Sequence, residues 1–179
     1  MTDTSTDIDR DEAFDPEAAA GRRGISYEER TYVHESTDHC EADGEGRVVV
    51  GVTDEEGAAL LLVDQDRSIA MLPNATIDAG DGWLPAGRRA VADATGLEVT
   101  IGDPVRVRRI EHTTEESDTP HNATWHVVFR ASPTGCDPAA PDDTPFEAGW
   151  YERLPVEMSD DPSTRGDALA DVRSFLTEQ

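Results

Sequence analysis

Two acidic side chains that could hold a metal ion, Asp81 and Asp93, lie in one stretch of the chain, residues 72–97. Asp81 follows a glycine-containing turn, and Asp93 lies in a segment whose pattern predicts a helix of about three turns. Positions 90, 93 and 94 are spaced i, i+3 and i+4, so their side chains share one helix face. Of these three positions only 93 is acidic, because the other two are alanines. The face therefore offers one carboxylate to a hard cation such as Mg²⁺.

The ends of this helix follow from a proline and a glycine. Pro85 is expected to be the first helical residue, because its ring fixes φ near the helical value and its missing N–H costs nothing there. Gly96 predicts the end, since glycine readily takes the left-handed conformation that follows many helices. Arg89 precedes Asp93 by four residues and is expected to pair with it, which is worth about 0.3–0.5 kcal/mol on an exposed helix.

The stretch resembles a degenerate Nudix box, whose pattern is G-x5-E-x7-R-E-U-x-E-E-x-G-U, where U is a bulky apolar residue. The positions that match the pattern are Arg89, Val91, Gly96 and Leu97, with the preceding Leu72-Pro73 also typical of the family. Aspartates stand at two of the family's glutamate positions, Asp81 and Asp93. Alanines replace the first glycine and two further glutamates, at Ala75, Ala90 and Ala94.

The order of elements around the box supports the resemblance over residues 46–178. Apolar runs at 47–53 and 58–64, joined by a turn at 54–57, predict a strand pair before it. Strand candidates follow at 105–111 and 124–131, then a Trp-containing segment at 150–155, and an amphipathic helix at 164–176. The resemblance implies an α/β (α+β) fold, the Nudix-type α/β/α sandwich with a mixed β-sheet.

The resemblance also implies a function and a set of site residues. Nudix hydrolases bind Mg²⁺ or Mn²⁺ through the box glutamates and cleave a nucleoside diphosphate linked to another group. Here that implies a catalytic set of Asp93, Asp81 and Arg89, metal ligands Asp93, Asp81 and Glu147, and substrate contacts from Glu115 and Glu116 in an acidic loop at 113–120. Two functions stay open: a divergent hydrolase with a degraded metal site, or a catalytically inactive domain that binds a nucleotide-like ligand or a protein partner and needs no cofactor.

The charge of the chain is extreme and its basic residues are all of one type. The net charge is −24 over 179 residues, and all 15 basic residues are arginines. An acidic, lysine-free surface indicates adaptation to molar salt, where the Debye length falls to about 3 Å, and predicts a haloarchaeal-type cytoplasm. The sequence contains no basic stripe of the kind that binds nucleic acid, so no nucleic-acid partner is expected. Arg106 and Arg108 share a strand face with Ile110, which fits either salt bridges or a phosphate clamp.

The remaining segments predict one domain with a mobile tail. Residues 1–23 are acidic and poor in apolar side chains, so they are expected to be disordered, and 24–178 to form a single Nudix-like domain. Residues 25–45 fit either an extra strand or a short helix. Cys40 and Cys136 lack metal-type spacing and suggest no disulfide framework. No apolar run reaches about 18 residues, so no membrane partner is expected, and the pattern leaves the oligomeric state open.

Overall fold

The computed structural model describes residues 14–34, 46–78, 81–134, 137–155 and 166–176. The first 13 residues of the predicted tail, both cysteines, and residues 35–45 of the segment that fitted a strand or a helix lie outside these ranges. Within them, the secondary-structure elements follow the order α1 (Pro16–Ala20), β1 (Ser26–His34), β2 (Gly46–Val52), β3 (Ala59–Asp64), β4 (Ile69–Met71), β5 (Asn74–Ile77), α2 (Trp83–Thr95), β6 (Val99–Thr114), β7 (Ser117–Pro133), β8 (Glu147–Tyr151) and α3 (Gly166–Phe175).

The strands form two sheets. A five-stranded sheet has the order β1-β6-β7-β2-β5, and a three-stranded sheet has the order β4-β3-β8. β1 pairs with β6 in parallel, from Ser26 beside Arg106 to His34 beside Thr114. β3 pairs antiparallel with both of its neighbours. The chain therefore combines helices with sheets that contain both parallel and antiparallel pairs, and the predicted α+β class with a mixed sheet is confirmed.

The chain divides into two compact units. Of the described residues, the first comprises 14–34, 46–49, 75–78, 81–87 and 104–129, and the second comprises 50–74, 88–103, 130–134, 137–155 and 166–176. The single domain over 24–178 stays a prediction.

The turn that was expected to close a hairpin instead connects two sheets. β2 belongs to the five-stranded sheet and β3 to the three-stranded one, with a single bridge between Thr53 and Ala59. The turn is held by Asp54, whose Oδ1 accepts the N–H groups of Glu56 and Ala58, each at 2.9 Å. Every residue of β3 is buried. A strand buried on both faces reads as a continuous apolar run, which is why the sequence locates the strand but not its partner.

Part of the segment predicted as a disordered tail, residues 14–23, lies within the described ranges. A helix, α1, begins after Asp15, whose side chain accepts the N–H of Glu17 at 3.0 Å, as an N-cap residue does. Phe14 packs edge-to-face against Trp83 and Phe129, with ring centroids 6.2 and 4.9 Å away. The stretch from Phe14 to Ala20 is therefore part of the first unit's packing.

Two long strands, β6 and β7, take the place of the loop that was predicted at 113–120. β6 and β7 are neighbours and only Glu115 and Glu116 separate them, so the acidic loop expected at 113–120 is a two-residue turn between two strands. Polar side chains at strand ends resemble loop composition, which explains the difference.

The segment 25–45 fitted either an extra strand or a short helix. Residues 26–34 form β1, so this part of the segment is a strand.

The last helix agrees with its predicted amphipathic pattern. α3 spans Gly166–Phe175, and the apolar residues at helical spacing in this region are buried, namely Leu169, Val172, Phe175 and Leu176. The Phe175 ring lies over Gly51, and the guanidinium of Arg130 lies 5.2 Å from its centroid. Among the described residues, no helix is long and apolar enough to cross a membrane.

Candidate functional site

The helix of the box-like stretch, α2, starts two residues before the predicted position. It begins at Trp83, and the N–H of Ala86 donates to the carbonyl of Gly82 at 3.1 Å. Pro85 therefore lies within the first turn, where N–H groups have no partner inside the helix, so the ring is tolerated. The predicted end is confirmed, because Gly96 follows Thr95 with a φ of 72° and its N–H donates to Ala92 at 2.8 Å.

The side chains on the predicted metal-binding face of α2 differ in their exposure. Ala90 is 6% exposed, whereas Asp93 is exposed and Ala94 is half-buried. Asp93 therefore presents its carboxylate to solvent. Arg89 is also exposed, and it forms no ion pair with Asp93 among the described residues. The expected pair is absent because the small free energy of an exposed pair does not offset the ordering of two solvated side chains.

Asp81 takes part in a local turn before α2. Its Oδ2 accepts the N–H of Asp78 at 3.2 Å, and its own N–H donates to the Asp78 carbonyl at 3.0 Å. These bonds place Asp81 at the entry to the helix, as expected for a residue of the box-like loop. Its role as a metal ligand stays a prediction.

The other predicted site residues lie at strand ends and in a turn. Glu147 is exposed and opens β8, where it is registered with Val63 of β3 in the second unit. Glu115 and Glu116 are exposed in the turn between β6 and β7. The structure thus leaves these carboxylates open to solvent, and their assignment to metal or substrate stays a prediction.

The described residues contain no group of three or more His, Cys, Asp or Glu side chains placed to hold a metal ion. A site with several protein carboxylates is therefore not preassembled in this part of the chain. The arrangement can supply one exposed carboxylate on α2, with the exposed guanidinium of Arg89 one turn earlier. A carboxylate is a ligand for hard divalent cations, and a guanidinium is a donor to phosphate oxygens.

A polar cluster on the paired strands β1 and β6 was only partly foreseen. Arg108 is 1% exposed and its Nε lies 2.9 Å from Oε2 of Glu28. His112 is fully buried, and its Nε2 lies 2.9 Å from Oγ1 of Thr124, in hydrogen-bonding distance. The ring of Tyr32 packs edge-to-face on His112, with centroids 6.1 Å apart. The alternation of side chains along β6 had placed Arg108 on the same face as Ile110. Its ion pair with Glu28 supports a salt bridge as the role of Arg108.

One buried carboxylate, that of Asp64, was not singled out from the sequence. It ends β3 and is 3% exposed. Its Oδ1 accepts the N–H of Arg67 at 3.3 Å, and the Arg67 Nε lies 3.7 Å from Oδ2. The turn also contains Ser68 with a φ of 53°. Asp64 therefore orders the connection between β3 and β4, and the aspartate-rich turn sequence was the signal that could have identified it.

Comparison of the sequence with protein-family models gave no match, and comparison with curated proteins gave none either. Solved structures with a similar backbone include a MutT mutator protein from Bacillus halodurans, with a TM-score of 0.48 and 17% identity, covering 74% of this chain and 83% of that one. An ADP-ribose pyrophosphatase from Streptococcus suis has a TM-score of 0.47 and 12% identity, covering 74% of this chain and 92% of that one. The dihydroneopterin triphosphate pyrophosphohydrolase of E. coli has a TM-score of 0.47 and 10% identity, covering 74% of this chain and 95% of that one.

Proposed function

We propose that the chain is a Nudix-type hydrolase that cleaves the pyrophosphate of a nucleoside-diphosphate-linked substrate with Mg²⁺ or Mn²⁺. Its metal site has fewer carboxylate ligands than the family pattern. The observation that carries the proposal is the state of Asp93. Its carboxylate is exposed on α2, at the box position that matches a family glutamate, and it has no ion-pair partner among the described residues. An exposed carboxylate with no ion-pair partner among the described residues is available to bind a metal ion.

The donor set fits a single hard cation better than a cluster of ions. Mg²⁺ commonly uses one or two protein carboxylates and completes its shell with waters and substrate phosphates. Asp93 is the first such ligand, and Asp81 and Glu147 are proposed as further ones. When bound, the ion would neutralise phosphate charge and polarise a phosphoryl oxygen. Arg89 contributes N–H donors to a phosphate oxygen, and the chain's part in the reaction is to position the diphosphate for attack by water.

The second candidate is a catalytically inactive domain that binds a nucleotide-like ligand or a protein partner without a cofactor. It is favoured by the burial of Ala90, where the family pattern has a metal-binding glutamate and this chain has a methyl group. The scarcity of grouped carboxylates in the described residues points the same way. In this case the box-like helix serves only to shape a binding surface.

Metal binding and turnover distinguish the two candidates. The purified protein in molar KCl is titrated with Mg²⁺ and Mn²⁺, with and without ADP-ribose or a nucleoside triphosphate, while heat of binding and release of the nucleoside monophosphate are recorded. For the enzyme, Asp93→Asn abolishes metal binding and turnover. The control, Asp103→Asn, removes an equally exposed carboxylate on β6 and leaves both unchanged.

Nucleotide binding that persists without metal or turnover, and that Asp93→Asn does not alter, supports the inactive domain instead. The absence of both binding and turnover with this ligand set contradicts the hydrolase. Binding assays with protein partners then test the remaining form of the second candidate.

A further inference from the structure

Among the described strands, β1 forms one edge of the five-stranded sheet. It is nine residues long and pairs in unbroken parallel register with β6. The other edge strand, β5, has four residues. Edge strands in monomers are commonly short, bulged or interrupted by proline, because an exposed row of N–H and C=O groups can pair with another chain. β1 has none of these features, since its sequence SYEERTYVH lacks proline and its register shows no bulge.

One face of β1 is exposed along the whole strand. Tyr27, Glu29, Thr31 and Val33 alternate on this face, and each is exposed. Among the described residues, the large apolar side chains that are exposed are Tyr27, at 41%, and Val33, at 61%. Both therefore belong to the same face of the same edge strand. They lie three residues before and three residues after Arg30.

This symmetric spacing makes β1 complementary to a second copy of itself. In an antiparallel pair with Arg30 on the two-fold axis, Tyr27 of each copy faces Val33 of the other. An aromatic residue opposite a β-branched residue is a favourable cross-strand pair. The symmetry forms that pair twice. Between them, Glu29 faces Thr31, so no two like charges lie directly opposite each other on the exposed face, although the two Glu29 side chains are diagonal neighbours.

Charges on the opposite face of β1 are also compatible with this register. Arg30 lies opposite its own copy, which alone is unfavourable. Its diagonal neighbours on the partner strand include Glu28, at a spacing within reach of long side chains. Within one chain Glu28 already lies 3.4 Å from Arg30. Two arginines and two glutamates would thus alternate around the axis.

We propose that this edge is an interface between two copies of the chain, formed by antiparallel pairing of β1 about Arg30. A ten-stranded continuous sheet results. The isologous contact closes on itself, so it gives a dimer and no filament. The inference is independent of the proposed hydrolase activity, because β1 contains none of the residues assigned to metal or substrate.

Cysteine cross-linking in the full chain tests the register. Cys40 and Cys136 are replaced by serine in every variant. Because residues opposite each other in an antiparallel pair have Cα atoms about 4.5–5.5 Å apart, a cysteine on the axis can form a disulfide with its own copy. Arg30→Cys is expected to give a covalent dimer on mild oxidation. Glu29→Cys and Thr31→Cys should each remain monomeric on denaturing gels, yet cross-link when mixed before oxidation.

Mass measurement tests the association itself. Sedimentation equilibrium of the unmodified protein is expected to show a monomer–dimer equilibrium. Val33→Asp places a charge opposite Tyr27 at both ends of the interface and weakens the dimer by at least about tenfold. Ala92→Asp, which adds the same charge at an exposed position of α2, leaves the dimer unchanged. A monomer at all concentrations, or equal cross-linking of all three single-cysteine variants, overturns the proposal.

Discussion

Arg108 and Glu28 join β1 to β6 through an ion pair between residues 80 positions apart, with 2.9 Å between Nε and Oε2. The Arg108 side chain is 1% exposed, while the Glu28 side chain is 31% exposed. One partner is thus inside the first unit and the other lies at its surface. Because burying a charge without a partner is costly, this contact helps to hold β1 on the sheet.

Glu28→Gln is expected to lower the free energy of unfolding by about 1–3 kcal/mol, because Arg108 loses a charge-assisted hydrogen bond in a buried setting. The measurement is urea unfolding followed by circular dichroism. Glu29→Gln, on the exposed face of the same strand, should change stability by less than about 0.5 kcal/mol. Equal stability of the two variants would show that the ion pair contributes nothing.

Ala94→Glu is expected to strengthen Mg²⁺ binding about tenfold, since it adds a second carboxylate one residue from Asp93 at a half-buried position. Calorimetric titration measures the change. Ala92→Glu adds the same charge at an exposed position on another side of α2 and serves as the control. If both variants bind the ion equally, the position of the box on this helix is wrong.

Ala90→Glu is expected to behave differently from Ala94→Glu. Ala90 is 6% exposed, so a glutamate there loses solvation and should cost about 1–3 kcal/mol of stability. Thermal unfolding of the two single variants and of the double variant measures this cost. The double variant should bind the ion no better than Ala94→Glu alone. A stable Ala90→Glu protein with raised metal affinity would contradict the burial of this position.

Gly51→Ala is expected to destabilise the second unit by about 1–3 kcal/mol, because the added Cβ would overlap the Phe175 ring. Phe175→Leu in the same chain should recover part of the loss by making room. Gly21→Ala is the matched control, since Gly21 has an ordinary φ of −88° and no close neighbour. Unfolding curves of these three variants and of the unmodified protein distinguish overlap from a general effect of removing glycine.

Desolvation of Tyr27, together with the hydrogen bond that its hydroxyl donates to Glu29 Oε1 at 2.9 Å, raises the pKa of Tyr27 above its ordinary value of 10.0. The protonated phenol is favoured in the folded state, so its contribution to stability is present below the unfolded pKa and is lost as pH rises through the folded value. Glu29→Gln should lower the pKa toward the ordinary value. Phenolate absorbance, with Tyr27→Phe as the reference, gives the titration midpoint.

Local features of the sequence determined the elements that depend on near neighbours. Gly96 ends α2 because a left-handed residue there is a local requirement, and the apolar spacing from Leu169 to Leu176 is enough to identify the buried face of α3. The box resemblance likewise depends on residues within one stretch. The absence of lysine and the net charge of −24 also belong to the sequence, and the adaptation to salt inferred from them stays a prediction.

Tertiary structure alone decided which distant residues meet and which side chains stay in water. The turn at Asp54 reads as a hairpin, yet its flanking strands join different sheets, because strand pairing depends on residues far along the chain. The partner of Arg108 is 80 residues away, and the solvation of Asp93 depends on what packs around α2. Spacing along the chain determines which side chains share a face, whereas burial and long-range pairing depend on the packing of the whole chain.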